Sequence, residues 1–201
     1  MSLRENRYNN IYKNTKSSGC GSYKENTTHF NKVLREFINN NNIKSVLDLG
    51  CGNFESIEET VNEFDMEYLG ADISEIIVEH NKQTYGKKFI KLDVVTTDLK
   101  DFNQDLIIFR HIIQHLNYSD SQEAIKNIFN SKCKFLLVNH QSGLIKNEDK
   151  YVKEIDWDNQ MYNLNISPFN LKDKEIKNVT DKDNHVNDRG QHECYSFYKI
   201  N

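Results

Sequence analysis

The fold is decided by the stretch Ser45-Val46-Leu47-Asp48-Leu49-Gly50-Cys51-Gly52-Asn53-Phe54. Its apolar first half is typical of a buried parallel strand. The Gly-x-Gly that follows lets the backbone turn tightly and approach a ligand closely, because no Cβ stands in the way. Residues 55–64 then carry apolar side chains at helical spacing. The stretch therefore predicts strand, glycine turn and helix, the succession used to cradle nucleotides.

An acidic residue stands where such a cradle needs one. Asp72 ends the next apolar run, about twenty residues beyond the glycine turn, where a carboxylate binds ribose hydroxyls in dinucleotide sites. The alternative is an aspartate that caps the following helix, a position for which Ser74 competes. Glu55 occupies the place of the third glycine of the dinucleotide fingerprint, and its carboxylate would repel a phosphate. This favours a nucleoside ligand with a positive or zwitterionic tail, such as S-adenosylmethionine.

Four motifs of the chain resemble, in order and spacing, those of the class I S-adenosylmethionine-dependent methyltransferases. They occupy residues 46–52, 70–74, 92–94 and 105–110. Three further segments, at residues 18–22, 110–116 and 162–169, are similar to a bacterial subgroup known only as methyltransferases. The narrower similarity names no methyl acceptor.

The resemblance implies a cofactor site built from ten residues. They are Asp48, Gly50, Cys51, Gly52, Asn53, Asp72, Ile73, Asp93, Val94 and Arg110. In this scheme Asp93 takes the adenine amino group, and Ile73 and Val94 sandwich the ring; the alternative for Asp93 is a solvated loop acid. Arg110 would bind the methionine carboxylate or an acidic substrate, and its alternative is a surface salt bridge.

Two histidines are the candidates for catalysis. His111 and His115 are four residues apart in a predicted helical turn, which would place them on one face. Either one could act as general base for a substrate hydroxyl, with His111 the first candidate. They could also ligate a metal if His140, His185, His192 or Glu193 supplied a third ligand, but the spacing does not require it and we predict no metal site. A purely structural role is the third alternative.

Strand and helix patterns alternate along the chain, which predicts an α/β fold with a doubly wound, mostly parallel sheet. The resemblance implies a Rossmann-like class I methyltransferase fold with seven strands and an antiparallel terminal strand. We predict one domain over residues 1–201, with an irregular arm or lid (1–26), a cofactor-binding core (27–140), a loop or substrate lid (141–175) and a terminal β-hairpin (176–201). Predicted helices include 28–39, one capped by Ser74 with Ile76, Ile77 and His80 on a shared face, and one opened by a capping box at Ser119 and Gln122.

Aromatic residues of the arm and the late loop have two interpretations each. Tyr12 or Tyr23 could close the arm over the cofactor, or the arm could be a free tail. The late loop could wall a substrate pocket or cover a satellite apolar cluster. Its candidates are Trp157, Tyr162, Pro168 and Phe169.

The charge and composition of the chain argue against nucleic acid and membrane as partners. The net charge of −4 gives no overall basic field to gather nucleic acid, and no apolar stretch is long enough for a membrane span. The four cysteines are scattered, which is typical of reduced thiols in a cytoplasmic protein. The pattern carries no signal for an oligomeric state.

These observations predict methyl transfer from S-adenosylmethionine to a small polar acceptor through an oxygen, with S-adenosylhomocysteine as product. Three alternatives stay open on the sequence. They are an RNA-end methyltransferase, an NAD-type oxidoreductase on the same fold, and a non-catalytic cofactor-binding module.

Overall fold

Seven strands form one mixed sheet in the computed structural model, which describes residues 2–15, 17–149, 160–182 and 193–201. The strands are β1 (Ser45–Leu49), β2 (Glu67–Asp72), β3 (Lys88–Lys91), β4 (Leu106–Phe109), β5 (Phe135–His140), β6 (Glu175–Thr180) and β7 (Cys194–Lys199). Their order is β3-β2-β1-β4-β5-β7-β6. The pairs β1–β2, β2–β3 and β4–β5 are parallel, whereas β7 runs antiparallel to both of its neighbours. The predicted α/β fold with an antiparallel terminal strand is confirmed.

Five helices accompany the strands. They are α1 (Leu3–Asn14), α2 (Thr28–Asn41), α3 (Glu58–Glu63), α4 (Glu75–Thr84) and α5 (Tyr118–Phe129). The chain divides into two compact units, residues 1–93 with β1 to β3 and residues 94–201 with β4 to β7. No helix within the described residues is long and apolar enough to cross a membrane.

The core of the first unit follows the predicted pattern. Four of the five residues of β1 are buried, as a parallel strand covered on both faces requires. The buried side of α2 carries only apolar residues at helical spacing: Phe30, Val33, Leu34, Phe37 and Ile38. The helix ends within the run of four asparagines at 39–42, because Asn42 adopts the left-handed conformation and its N–H bonds to the carbonyl of Ile38.

Three local predictions in this unit are wrong. Residues 1–26 are not an irregular arm, since α1 occupies Leu3–Asn14. The helix predicted over 55–64 is shorter, because the chain stays in turns up to Ile57 and α3 covers only Glu58–Glu63. The buried face of α4 is Ile77, Val78 and Asn81 rather than Ile76, Ile77 and His80.

The second unit has an entirely buried β4 and an amphipathic α5. The predicted capping box at Ser119 is wrong. Asn117 caps α5 instead, because its side chain accepts the N–H of Asp120 at 2.8 Å. The predicted terminal hairpin is confirmed, with β6 and β7 paired from Glu175 to Thr180.

Gly70 in β2 allows an aromatic cluster to form. Phe54 lies 4.6 Å from Tyr68 and 5.6 Å from Phe89, centroid to centroid. A Cβ on Gly70 would lie 2.5 Å from Cδ1 of Phe89 and 3.0 Å from Cε1 of Tyr68. The absence of a side chain at this strand position therefore makes room for two rings.

We expect Gly70→Ala to lower the free energy of unfolding by about 1–3 kcal/mol, because the added methyl forces the buried rings apart. Urea unfolding followed by circular dichroism measures the change. Gly86→Ala is the control, since a Cβ there meets no atom within 4 Å. Equal effects of the two substitutions would contradict the packing argument.

His140 should make the protein sensitive to acid. Its Nδ1 accepts the N–H of Leu164 at 3.2 Å, and its Nε2 lies 2.8 Å from Oγ of Ser196. Burial lowers the pKa of His140 from 6.5 to about 4. The unfolded chain therefore binds this proton first, and stability falls as the pH drops below 6.5 and levels off below about 4.

We expect His140→Gln to remove this acid-dependent loss of stability. In the wild type the loss amounts to roughly 3 kcal/mol of unfolding free energy at a pH where the folded form is also protonated. Unfolding free energies of both proteins between pH 7.5 and 4 measure the difference. If the two proteins lost stability in parallel over that range, the assignment to His140 would fail.

Candidate functional site

The glycine turn is held by the end of β2. Gly50 and Gly52 have positive φ values of 79° and 54°, which glycine adopts without strain. The N–H groups of Gly50 and Cys51 both donate to the carbonyl of Ala71, at 2.7 and 3.1 Å. Phe54, also at positive φ, is fully buried in the aromatic cluster. The turn therefore has a fixed path between β1 and α3.

Asp72 joins this turn to the start of α4. Its Oδ2 accepts the N–H of Gly52 at 3.1 Å, and its Oδ1 accepts the N–H of Ser74 at 2.8 Å. Burial raises the pKa of Asp72 to about 6, although the backbone hydrogen bonds act in the opposite direction. Ser74 occupies the N-cap position of α4, but its hydroxyl donates to Oδ1 of Asn9 instead of capping the helix.

Asp48 lies beneath the glycine turn. Its Oδ2 accepts the hydroxyl of Tyr68 at 2.7 Å, and both side chains are buried. Burial and the charge of Asp48 raise the pKa of Tyr68 well above 10. Tyr68 thus remains a neutral donor, and the pair supports the turn from within the sheet. Sequence analysis missed Tyr68 as its partner.

The outer side of the turn is covered by the segment after α1. Oγ of Ser18 accepts the N–H of Asn53 at 2.8 Å and donates to Oδ1 of the same residue at 3.1 Å. The hydroxyl of Tyr12, itself buried, donates to Ser18 at 3.3 Å. Tyr23, the other candidate for closing the arm, is 40% exposed. Cys51 is buried, and burial raises its pKa well above 9, so its thiol stays protonated.

Helix α1 contacts Asp93, another predicted cofactor residue of the first unit, and Ser74, the neighbour of Ile73 in sequence. Arg4 forms an ion pair with Asp93 at 2.9 Å, so Asp93 is not the solvated loop acid of the alternative interpretation. Glu5 pairs with Lys91 of β3, and Asn9 bonds to Ser74. Ile73, which lies between Asp72 and Ser74 in the sequence, is half-buried. Sequence analysis missed Arg4 and Asn9 because α1 buries polar residues, which leave no apolar periodicity to detect.

Two predicted cofactor residues belong to the second unit. Val94 is buried, and its carbonyl accepts Nδ2 of Asn127 at 2.9 Å. Arg110 directly follows β4 and is only 8% exposed, so the alternative of a surface salt bridge is wrong. Its guanidinium is hydrogen-bonded with the Tyr195 hydroxyl, which in turn donates to Asp181 at 2.7 Å.

The two histidines do not share a helical face. A short 3₁₀ turn covers only Ile113–His115, and His111 precedes it with a positive φ of 55°. This left-handed conformation is uncommon for residues other than glycine and costs of the order of 1 kcal/mol. It is held in place because the N–H of His111 donates to Oδ1 of Asn139 at 2.6 Å. The i, i+4 geometry expected of a metal-binding pair is therefore absent.

A polar network surrounds the imidazole of His111. Nδ1 lies 3.3 Å from Nε2 of Gln114 and 3.4 Å from Nδ2 of Asn139. Asn139 also donates to Oε1 of Gln114 at 3.0 Å and to Glu193 at 3.3 Å. Burial, followed by the charges of Arg110 and His115, lowers the pKa of His111 well below 6.5, so the ring is neutral.

Sequence analysis missed the amide partners of this network. The sequence could have identified Asn139 as a site residue, because a polar residue near the carboxyl end of a buried strand lies at the edge where ligands bind in such sheets. Gln114 could not be identified in this way, since its role depends on the left-handed turn at His111. Burial raises the pKa of Glu193, which the sequence suggested only as a metal ligand.

Within the described parts of the chain, no three histidine, cysteine, aspartate or glutamate side chains are grouped to hold a metal ion. His140 is instead bonded to Leu164 and Ser196. His185 and His192 lie outside the described residues. All four cysteines are free.

Part of the late loop packs as a cluster of its own. Tyr162 is 1% exposed, donates to the carbonyl of Leu116 at 3.0 Å and packs edge-on against Phe169. Pro168 is half-buried beside them. This agrees with the satellite-cluster interpretation. Trp157 lies outside the described residues.

Residues 46–131, which run from β1 to the end of α5, match a family model described as a methyltransferase domain. No curated protein is significantly similar to the chain in sequence.

Three solved structures share the fold. The N-methyltransferase NodS from Bradyrhizobium japonicum WM9, in complex with S-adenosylhomocysteine, has a TM-score of 0.67 at 10% identity, covering 96% of this chain and 98% of that one. Magnesium protoporphyrin IX methyltransferase from Synechocystis PCC 6803, with the same ligand, has a TM-score of 0.63 at 15% identity, covering 98% and 94%. A TehB-like S-adenosylmethionine-dependent methyltransferase from Corynebacterium glutamicum has a TM-score of 0.61 at 14% identity, covering 97% of each chain.

We expect Gly52→Ala to detach the Ser18 segment from the glycine turn. A Cβ at this position would lie 2.0 Å from Oγ of Ser18, and the positive φ adds strain. The amide of Asn53, which bonds to Ser18, should then exchange its hydrogen faster. Hydrogen exchange followed by NMR measures this, together with the free energy of unfolding.

Ser18→Gly provides the control in a double-mutant cycle, because it removes the atoms that collide with the new methyl. The double variant should be less destabilised than the sum of the single variants, with a coupling of about 0.5–3 kcal/mol. Strict additivity would show that the two residues do not touch.

Proposed function

We propose that this chain, a class I S-adenosylmethionine-dependent methyltransferase, transfers the methyl group to an oxygen atom of a small polar metabolite. The family match and the sheet topology carry the methyltransferase assignment. They favour this assignment over the oxidoreductase that the glycine turn alone would allow. Free cysteines throughout the chain support a cytoplasmic enzyme.

The observation that best supports the cofactor site is the position of Asp72. Its carboxylate is buried at the end of β2 and bonded to the Gly52 amide of the turn that precedes it in the motif. A carboxylate held in this way has further lone pairs with which to accept two ribose hydroxyls. We assign Asp72 this role. Gly50, Cys51, Gly52 and Asn53 would line the methionine part, with Asp48 supporting them from below.

The residues proposed for adenine are those that the resemblance implies. Asp93 would accept the adenine amino group, with Ile73 and Val94 as apolar walls. In this proposal both Arg4 and the adenine amino group donate to the carboxylate of Asp93. The ion pair between Arg4 and Asp93 would therefore rearrange when the ligand binds. Arg110, buried and cationic, would bind a carboxylate.

When bound, S-adenosylmethionine supplies a methyl group made electrophilic by the sulfonium. The residues of the chain would therefore contribute mainly by holding and orienting the acceptor, which can be worth about 7–11 kcal/mol of the barrier. A hydroxyl acceptor would also need a base. His111 and His115 were the candidates for this task, and the neutral, low-pKa state of His111 makes it a weak one.

Asp72→Asn should weaken S-adenosylhomocysteine binding about 10- to 100-fold, because one of the two ribose acceptors becomes a donor. Isothermal titration calorimetry measures this. Glu75→Gln, at an exposed acid three residues further along the chain in the first turn of α4, is the matched control and should bind as the wild type does.

The wild-type protein should lose affinity as the pH falls from 7.5 to 5, with a midpoint about 6, because protonated Asp72 accepts hydrogen bonds less well. Unchanged binding in Asp72→Asn would remove Asp72 from the site. Absence of binding by folded wild-type protein would remove the proposed function itself.

A further inference from the structure

We propose that His111 presents a fixed Nε2–H group as hydrogen-bond donor to the methyl acceptor, and that this acceptor offers an oxyanion, a carboxylate or a phosphate oxygen. The inference deepens the proposed function, on which it rests for the identity of the ligand as a methyl acceptor. It replaces the role of general base for His111 by that of a donor.

The tautomer of the His111 ring follows from the backbone N–H of the same residue, which can act only as a hydrogen-bond donor. The N–H of His111 can only donate, so the atom of Asn139 that it meets at 2.6 Å must be the amide oxygen. The nitrogen of the same amide therefore faces Oε1 of Gln114 at 3.0 Å. This contact determines the orientation of the Gln114 amide. Its nitrogen, Nε2, is therefore the atom that faces Nδ1 of His111 at 3.3 Å.

An amide nitrogen only donates, so Nδ1 of His111 must be the acceptor. The second amide nitrogen near this atom, that of Asn139 at 3.4 Å, imposes the same requirement. In a neutral imidazole the proton then resides on Nε2. Each amide orientation is thus set by the one before it, starting from the backbone.

Nε2 is buried and has no hydrogen-bond partner within the part of the chain that the structure describes. A buried N–H without an acceptor is destabilising, and folded proteins rarely retain one without a purpose. The left-handed backbone at the same residue is a second cost at the same place. Both are explained if the site is built to bind a ligand that accepts a hydrogen bond.

The charges around the ring favour an anion. Arg110 and His115 act on the imidazole from its own segment, and both disfavour a positive charge there. Two acidic groups are connected to these residues: Asn139 donates to the carboxylate of Glu193 at 3.3 Å, and Asp181 accepts the hydroxyl of Tyr195, the partner of Arg110. An N–H donor in this setting suits an oxyanion better than an ammonium or an alcohol. A carboxylate or phosphate is already deprotonated at neutral pH, so no base is required.

NMR of protein labelled with ¹⁵N in its histidines tests the donor state directly, without cofactor or acceptor. At pH 7 we expect the His111 ring to be neutral, with the proton on Nε2, and to remain so down to pH 6. His111→Asn assigns the signals, since asparagine tolerates positive φ; backbone connectivities through the His111 amide assign them if that variant fails to fold. A proton on Nδ1, or a charged ring at pH 7, would overturn the donor role.

Gln114→Glu is the matched variant. It keeps the shape of the side chain but places an oxygen opposite Nδ1, which then requires a proton on that nitrogen. The proton should move from Nε2 to Nδ1, or the ring should become charged. Retention of the wild-type tautomer in this variant would show that the amide network does not set it.

The ligand class is tested on the same signals with acetate, inorganic phosphate, methanol and methylammonium, each titrated into the complex with S-adenosylhomocysteine. We expect a saturable shift of Nε2 with acetate, phosphate or both, and the two anions separate a carboxylate from a phosphate acceptor. In Gln114→Glu the shift should be lost if the neutral ring carries its proton on Nδ1, and kept if the ring is charged, because Nε2 then still carries a proton. No shift with either anion, or an equal shift with methanol or methylammonium, would overturn the oxyanion class.

These outcomes are independent of the cofactor assignment. Failure of S-adenosylhomocysteine to bind would be seen by calorimetry, whereas the tautomer of His111 is measured in the protein alone. The anion titration would then be repeated without the nucleoside, and the same criteria would apply.

Discussion

The carboxylate of Asp72 is the constraint on which the first unit depends. It accepts one N–H from the glycine turn and another from the residue before α4, so one side chain fixes the chain on both sides of β2. Burial of the carboxylate opposes its ionisation, and the two N–H groups partly offset that cost. The hydroxyl of Ser74 then extends the connection to Asn9 of α1. The turn, the helix start and the first helix are thus linked through one buried acid.

In the second unit, neutral amide groups rather than a buried acid hold the chain in one arrangement. Asn139 and Gln114 are amides, each of which has a donor and an acceptor end, and the backbone N–H of His111 decides which end faces where. Such a network specifies one arrangement, because reversing any amide would place two donors or two acceptors against each other. Among the described residues this network leaves Nε2 of His111 as a buried donor without a partner, and it is there that we propose an external acceptor binds.

Helix α1 shows where sequence patterns fail. Its buried residues are Glu5, Asn9 and Tyr12, and the helix has no apolar stripe. Periodicity detects helices that bury apolar side chains, whereas α1 is held by Arg4 on Asp93, by Ser74 on Asn9 and by the hydroxyl of Tyr12 on Ser18. These partners are up to 89 residues apart in the chain, so no local signal contains them.

The sequence by itself determined the strand, glycine turn and helix around residues 45–64, the acidic residue at the end of β2, the order of the strands and of the helices after α1, and the terminal hairpin. These features arise from local conformational preference and from apolar periodicity, both of which are present in short stretches of chain. Only the tertiary structure decided that Asp93 pairs with Arg4, that Arg110 is buried beside Tyr195, and that His111 leaves the helical turn. Each of these depends on a hydrogen bond or charge from a distant segment, and the protonation state of His111 depends on two such partners together.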